Sequence, residues 1–119
     1  ILEIFQHQFP ALKSKLSSYS ISDAETVATI KEVYQKDNYV LDPHGAVGFL
    51  ALQRYLKENA GQKGIVLETA HPVKFPDAVE NCIGRSIEIP EAVQSIMSKE
   101  KQSIQMKADY QQFKEYLIK

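Results

Sequence analysis

Two short loops hold the main concentration of side chains suited to chemistry, Asp42-Pro43-His44-Gly45 and Thr69-Ala70-His71-Pro72-Val73-Lys74-Phe75. Each is polar, stiffened by proline and followed by a helical pattern. His44 and His71 bring imidazoles, which exchange protons near neutral pH or donate to phosphate oxygens. Lys74 brings an ammonium suited to a phosphate or carboxylate, and Thr69 a neutral hydroxyl at the end of an apolar run. Each residue also has a plainer reading. A loop histidine can bond backbone, a lysine can lie on the surface or cap a helix, and a threonine can close a strand end. Asp42 reads as structural, bonding backbone amides in the turn before a helix. With Cys82, the set His44, His71 and Asp42 has the side chains that zinc accepts. No pair has the close spacing of a zinc motif, and Cys82 reads as a small core residue on a helix, so no metal is assigned.

The surrounding pattern says what should position these loops. Leu2, Phe5, Phe9, Leu12 and Leu16 follow helical spacing interrupted by Pro10, which predicts a short helix, a kink and a further turn or two. Ser22 with Glu25 three residues on forms a capping box, opening a helix that carries Val27, Ile30, Val33 and Tyr34 and ends at Asp37-Asn38. Tyr39 to Leu41 is a strand candidate. Residues 46–58 are helical and apolar on most sides, which predicts a buried helix. Ile65-Val66-Leu67 reads as a strand covered on both faces. Pro76-Asp77 opens another helix, ended by Gly84, and Ser86 to Ile89 is a third strand candidate. Helices starting at Pro90-Glu91 and carrying Met106, Tyr110, Phe113 and Leu117 complete the chain. The alternation predicts an α/β fold, a short, largely parallel sheet flanked by helices. Both loops should then face one crevice at the carboxyl ends of neighbouring strands.

With 119 residues, residues 1–119 amount to one domain or a fragment, and 44% hydrophobic content is that of an ordinary globular chain. Fourteen basic against 15 acidic residues leave a net charge of -1. That provides no field for nucleic acid or anionic membrane. No apolar stretch is long enough to span a bilayer, and Glu3, Gln6 and His7 interrupt any secretory core at the start. The single cysteine, Cys82, suits a reducing, cytoplasmic setting. The first residue is not Met, and an excised fragment is the expectation.

Leu41-Asp42-Pro43-His44-Gly45-Ala46-Val47-Gly48 and Thr69-Ala70-His71-Pro72-Val73-Lys74-Phe75-Pro76 resemble two signature segments of bacterial and fungal-type threonine synthases. The second is the more specific, and the stretch between them and residues 21–39 also resemble the family. Gly45 departs from the pattern, standing where the family more often has Thr. The resemblance implies an enzyme of fold type II dependent on pyridoxal 5′-phosphate (PLP). Such an enzyme converts O-phospho-L-homoserine and water to L-threonine and phosphate. It further implies that Thr69 meets the pyridine nitrogen of the cofactor and that His44, His71 and Lys74 belong to the wall of the active site. In the family the lysine that carries PLP lies far upstream of both motifs. The glycines Gly45, Gly48, Gly61, Gly64 and Gly84 are scattered and form no phosphate cradle. Lys114, between Phe113 and Glu115, lies on an amphipathic helix face and is not that lysine. The chain alone is therefore expected to be inactive, to hold no PLP and to self-associate through apolar surface. An independent binding module and a small metal-binding protein are the competing readings.

Overall fold

The computed structural model describes residues 1–118 as two compact units, Ile1–Glu88 and Ile89–Lys119. The first unit contains α1 (Phe9–Lys13), α2 (Asp23–Asp37), α3 (Pro43–Glu58), a 3-10 turn (Pro72–Lys74) and α4 (Pro76–Ile83). The second contains α5 (Glu91–Met97) and α6 (Tyr110–Leu117).

Local chemistry sets the helix ends. The capping box forms at α2: the Glu25 amide donates to Ser22 Oγ at 3.4 Å, and the Ser22 amide donates to Glu25 Oε2 at 2.8 Å. Two backbone donors at the helix start are thereby satisfied. Asn38 ends α2 in the left-handed region with φ of 52°, a conformation asparagine tolerates better than most residues. Gly84 ends α4 with φ of 71°, where a side chain would be strained.

The core of this unit lies where α2 packs against α3 and α4. Ile30 and Val33 of α2 meet Leu41, Ala46 at the start of α3 and Cys82 of α4, with Phe49 and Ile83 packed against them. Val79 of α4 is also fully buried. Cys82 behaves as a small core residue, its Sγ donating to the Ala78 carbonyl at 2.9 Å.

The expected short, largely parallel sheet flanked by helices is not formed: no strand occurs among the described residues. Residues 39–41, 65–67 and 86–89 run as irregular chain between helices. A strand exists only when its amides and carbonyls find a neighbouring ladder, and these three runs do not pair with one another. The expectation that Ile65-Val66-Leu67 is covered on both faces fails with it, since Ile65 is 87% and Leu67 79% exposed. In α3, expected to be buried, only Gly45 and Ala46 are buried, and most of its apolar side chains are half-covered. Near the start, the helix expected before Pro10 is a series of turns, with Gln6 and His7 at positive φ.

In the second unit, α6 starts at Tyr110, later than Met106, and Asp109 caps it by accepting from the Gln112 amide at 2.8 Å. Neither α5 nor α6 contains a buried residue.

Candidate functional site

The first loop is built around Asp42, which is fully buried and serves as the N-cap of α3. Its Oδ1 accepts two hydrogen bonds, from the His44 amide at 2.8 Å and from His44 Nδ1 at 2.9 Å. Pro43 occupies the first helical turn, where a missing N–H costs nothing. Burial raises the Asp42 carboxyl, but the neighbouring Glu68 carboxyl and the hydrogen bonds from the His44 amide and ring outweigh it and hold the carboxyl below its ordinary value. An ionised carboxylate only accepts hydrogen bonds, so Nδ1 of His44 carries the proton of that bond. In the neutral ring, Nε2 is left as an acceptor. The His44 side chain is 63% exposed, so that nitrogen can be reached.

The second loop fixes its histidine the other way round. His71 caps the 3-10 turn, and its Nδ1 accepts from the Val73 amide at 3.1 Å. In the neutral ring the proton therefore sits on Nε2, which becomes a donor. Val73 is buried and anchors the turn, while Phe75 leads into α4.

The two loops meet. The His44 and Phe75 rings lie 5.0 Å apart at a tilt of 50°, within the range of favourable ring contacts. Beside them the Glu68 carboxyl sits over Gly45, in the space that a Cβ at that position would fill. Glu68 as a residue is exposed, but its carboxyl end is tucked against Gly45 and Asp42. Loss of solvent first, and the Asp42 carboxylate second, push it up to about 7. A cavity of about 530 Å³ adjoins this point, and Glu68, Ala70, His71 and Arg85 are among the residues that line it.

Of the residues singled out in the sequence, His44, which lies in the first turn of α3 and not in the expected loop, and His71, which caps the 3-10 turn, are each held with a defined hydrogen-bonding face. Thr69 and Lys74 are both exposed, Thr69 between Glu68 and the cavity-lining Ala70, Lys74 at the end of the 3-10 turn. Sequence reasoning missed Glu68. Its only signal was an acidic side chain closing an apolar run, and nothing in spacing places it against Asp42, 26 residues earlier by number. Arg85 was missed too; its guanidinium lies over the Tyr34 ring at 5.1 Å, a cation–π contact. Among the described residues, no group of three or more His, Cys, Asp or Glu side chains is placed to hold a metal ion. Nor is any described helix long and apolar enough to cross a membrane.

Comparison with known proteins places this chain among relatives. Residues 45–117 match the family model described as threonine synthase, C-terminal. The chain is 38% identical over 104 residues to a threonine synthase of Haemophilus influenzae, covering 87% of this chain and 24% of that protein. Among solved structures it resembles threonine synthase from Escherichia coli with a TM-score of 0.72 at 26% identity, covering 92% of this chain and 27% of the other. It also resembles PLP-bound threonine synthase from Brucella melitensis with a TM-score of 0.65 at 32% identity, covering 91% and 23%. The chain spans about a quarter of the length of these relatives, 24% for the first named.

Proposed function

Because the chain belongs to the threonine synthase family, we propose that it supplies the C-terminal wall of an active site that converts O-phospho-L-homoserine and water to L-threonine and phosphate with PLP. The observation that carries this reading is the meeting of the two motif loops, with the His44 ring against that of Phe75 at 5.0 Å. Residues 31 positions apart in sequence are thereby brought to one place.

The side chains present fit one edge of the cofactor. Thr69 is exposed, so its hydroxyl is open to a partner from outside the chain, and a hydroxyl suits a pyridine nitrogen. The other edges have no match here. Gly61 and Gly84, the glycines at positive φ, lie in a turn after α3 and at the end of α4 and build no phosphate cradle. PLP supplies an electron sink for bonds at the substrate's carbons, and a neutral hydroxyl partner moderates that sink. The chain's own contribution is positioning and proton handling. His71 offers an Nε2–H donor for an anionic oxygen, and Lys74 a mobile ammonium for the same charge. His44 offers an Nε2 acceptor whose orientation Asp42 fixes through Nδ1. A base held in this way is the arrangement that general acid–base chemistry needs.

Phosphate release from O-phosphohomoserine, measured on the protein from the complete reading frame, is the test. The expected result is turnover that falls in Thr69→Val while the fold is kept. Loss of one hydrogen bond is worth about 0.5–1.5 kcal/mol, more if the ring nitrogen is left unpaired. Wild-type kinetics in Thr69→Val would make the hydroxyl structural, and no phosphate release by the wild type would overturn the function.

A further inference from the structure

We propose that Glu68 is a positioning residue: its carboxylic acid donates a hydrogen bond to the buried Asp42 Oδ2 and so holds Asp42 as the carboxylate that fixes the His44 ring.

Three observations converge on this proton. Asp42 is fully buried, and while Oδ1 takes two hydrogen bonds, Oδ2 is buried with no donor supplied by any fixed N–H or hydroxyl. A carboxylate oxygen without a partner in such a place is costly. Secondly, the group that stands beside it is another carboxyl, that of Glu68. Two adjacent carboxylates repel, and the pair is relieved when one of them keeps its proton. A proton on Glu68 satisfies Oδ2 and removes the repulsion at once. Asp42 is the member that stays ionised, because the His44 amide and ring already donate to it, and no such pair of donors faces Glu68. Thirdly, position 45 is glycine, and any Cβ there would overlap the Glu68 carboxyl. The absent side chain is the space in which the acid rests.

The other titratable groups facing Glu68 do not supply the missing donor. His71, Arg85, Glu88 and Tyr39 line the cavity with it, and Asp37 lines a second hollow with it. His71 uses Nδ1 on the Val73 amide, and Arg85 lies over Tyr34. Of the charged groups, the Asp42 carboxylate is the one that raises the Glu68 carboxyl.

The role in catalysis rests on the reading of the site as part of a threonine synthase, but the proton itself does not. It is therefore read without cofactor or substrate. In the full chain, with carbon-13 in the side-chain carboxyls and nitrogen-15 in the histidine rings, Glu68 is expected to titrate near 7, and the neutral His44 ring to carry its proton on Nδ1. Glu68→Ala, which removes the donor to Oδ2, should raise the Asp42 titration, whereas Glu68→Gln, whose amide can donate to Oδ2 at any pH, should keep it low. Gly45→Ala should return Glu68 to the ordinary glutamate range. Titration of wild-type Glu68 in the ordinary range overturns the proposal, and so does an Asp42 titration unchanged in Glu68→Ala. The wild-type titration decides the matter even where a variant fails to fold. An enzyme inactive on O-phosphohomoserine whose Glu68 still titrates near 7 would sink the assigned function and leave the proton intact.

Discussion

Arg54 of α3 grips the same Glu25 carboxylate that closes the capping box of α2, Nη2 of Arg54 bonding Oε1 while Oε2 accepts from Ser22. One side chain thus serves both the start of its own helix and the junction between the two long helices. The Ser22 amide first, then the Ser22 hydroxyl and Arg54, lower the Glu25 carboxyl from 4.5 to about 2.

That shift gives a signed pH dependence. A carboxyl held lower in the folded chain contributes stability that is present above the unfolded value and lost as pH falls through the folded one. Between 4.5 and about 2, stability should therefore decline with acid, and Glu25→Gln should flatten that decline. Ser22→Ala, which removes the cap hydroxyl, should cost about 1 kcal/mol at pH 7. Urea denaturation across this range reads both, and an acid limb unchanged in Glu25→Gln would show that the network contributes nothing to the fold.

Ile30 is 1% exposed at the centre of the core, whereas Val27, on the same helix, is 40% exposed. Ile30→Ala should cost about 2–5 kcal/mol, since it removes buried methyl groups and leaves a cavity. A domain this small has little stability to spare, so Ile30→Val, at about 0.5–1.5 kcal/mol, is the measurable variant. Val27→Ala should cost far less. Equal losses at 27 and 30 by chemical denaturation would mean that α2 does not bury the face described.

The chain by itself should neither hold PLP nor release phosphate from O-phosphohomoserine, because on the proposed reading Thr69, His44, His71 and Lys74 address one edge of the cofactor and substrate only. Dialysis against PLP-free buffer followed by an absorbance spectrum is the check. A cofactor band that survives dialysis at one equivalent per chain would show that some lysine of this chain carries PLP after all.

Self-association is expected at micromolar concentration. Ile65 and Leu67 are 87% and 79% exposed on an unpaired irregular run, and Ile1 and Ile4 are 75% and 78% exposed. Unpaired backbone beside apolar side chains invites a second chain. Sedimentation velocity should show species larger than a monomer, diminished by Leu67→Lys. A monomer at every concentration, with no binding of a hydrophobic dye, would refute it.

Several features whose cause lay within a few residues were determined by the sequence alone, although the helical spacing before Pro10 produced only turns. The α2 capping box, the Pro76 helix start, the Gly84 stop and the placing of Ile30 and Val33 on one helix face were legible, because each depends on contacts about one helical turn long. By contrast, α3 starts at Pro43 and not at the expected Ala46, and Val27 of the expected stripe is 40% exposed. The two segments with His44 and His71 were legible as concentrations of chemistry, because their residue types and prolines stand together in the chain, but residues 43–45 belong to α3 and not to a loop. Only the tertiary structure decided which nitrogen each histidine presents, that the His44 ring lies against Phe75, and that Glu68 rests in the space over Gly45. It also decided that the apolar runs at 39–41, 65–67 and 86–89 form no sheet among the described residues. An apolar run records that its side chains favour burial, but a strand needs hydrogen-bond partners on a separate stretch of backbone, and no local pattern can supply those. Glu68 escaped notice for the same reason, since the carboxylate that gives it meaning lies across the fold.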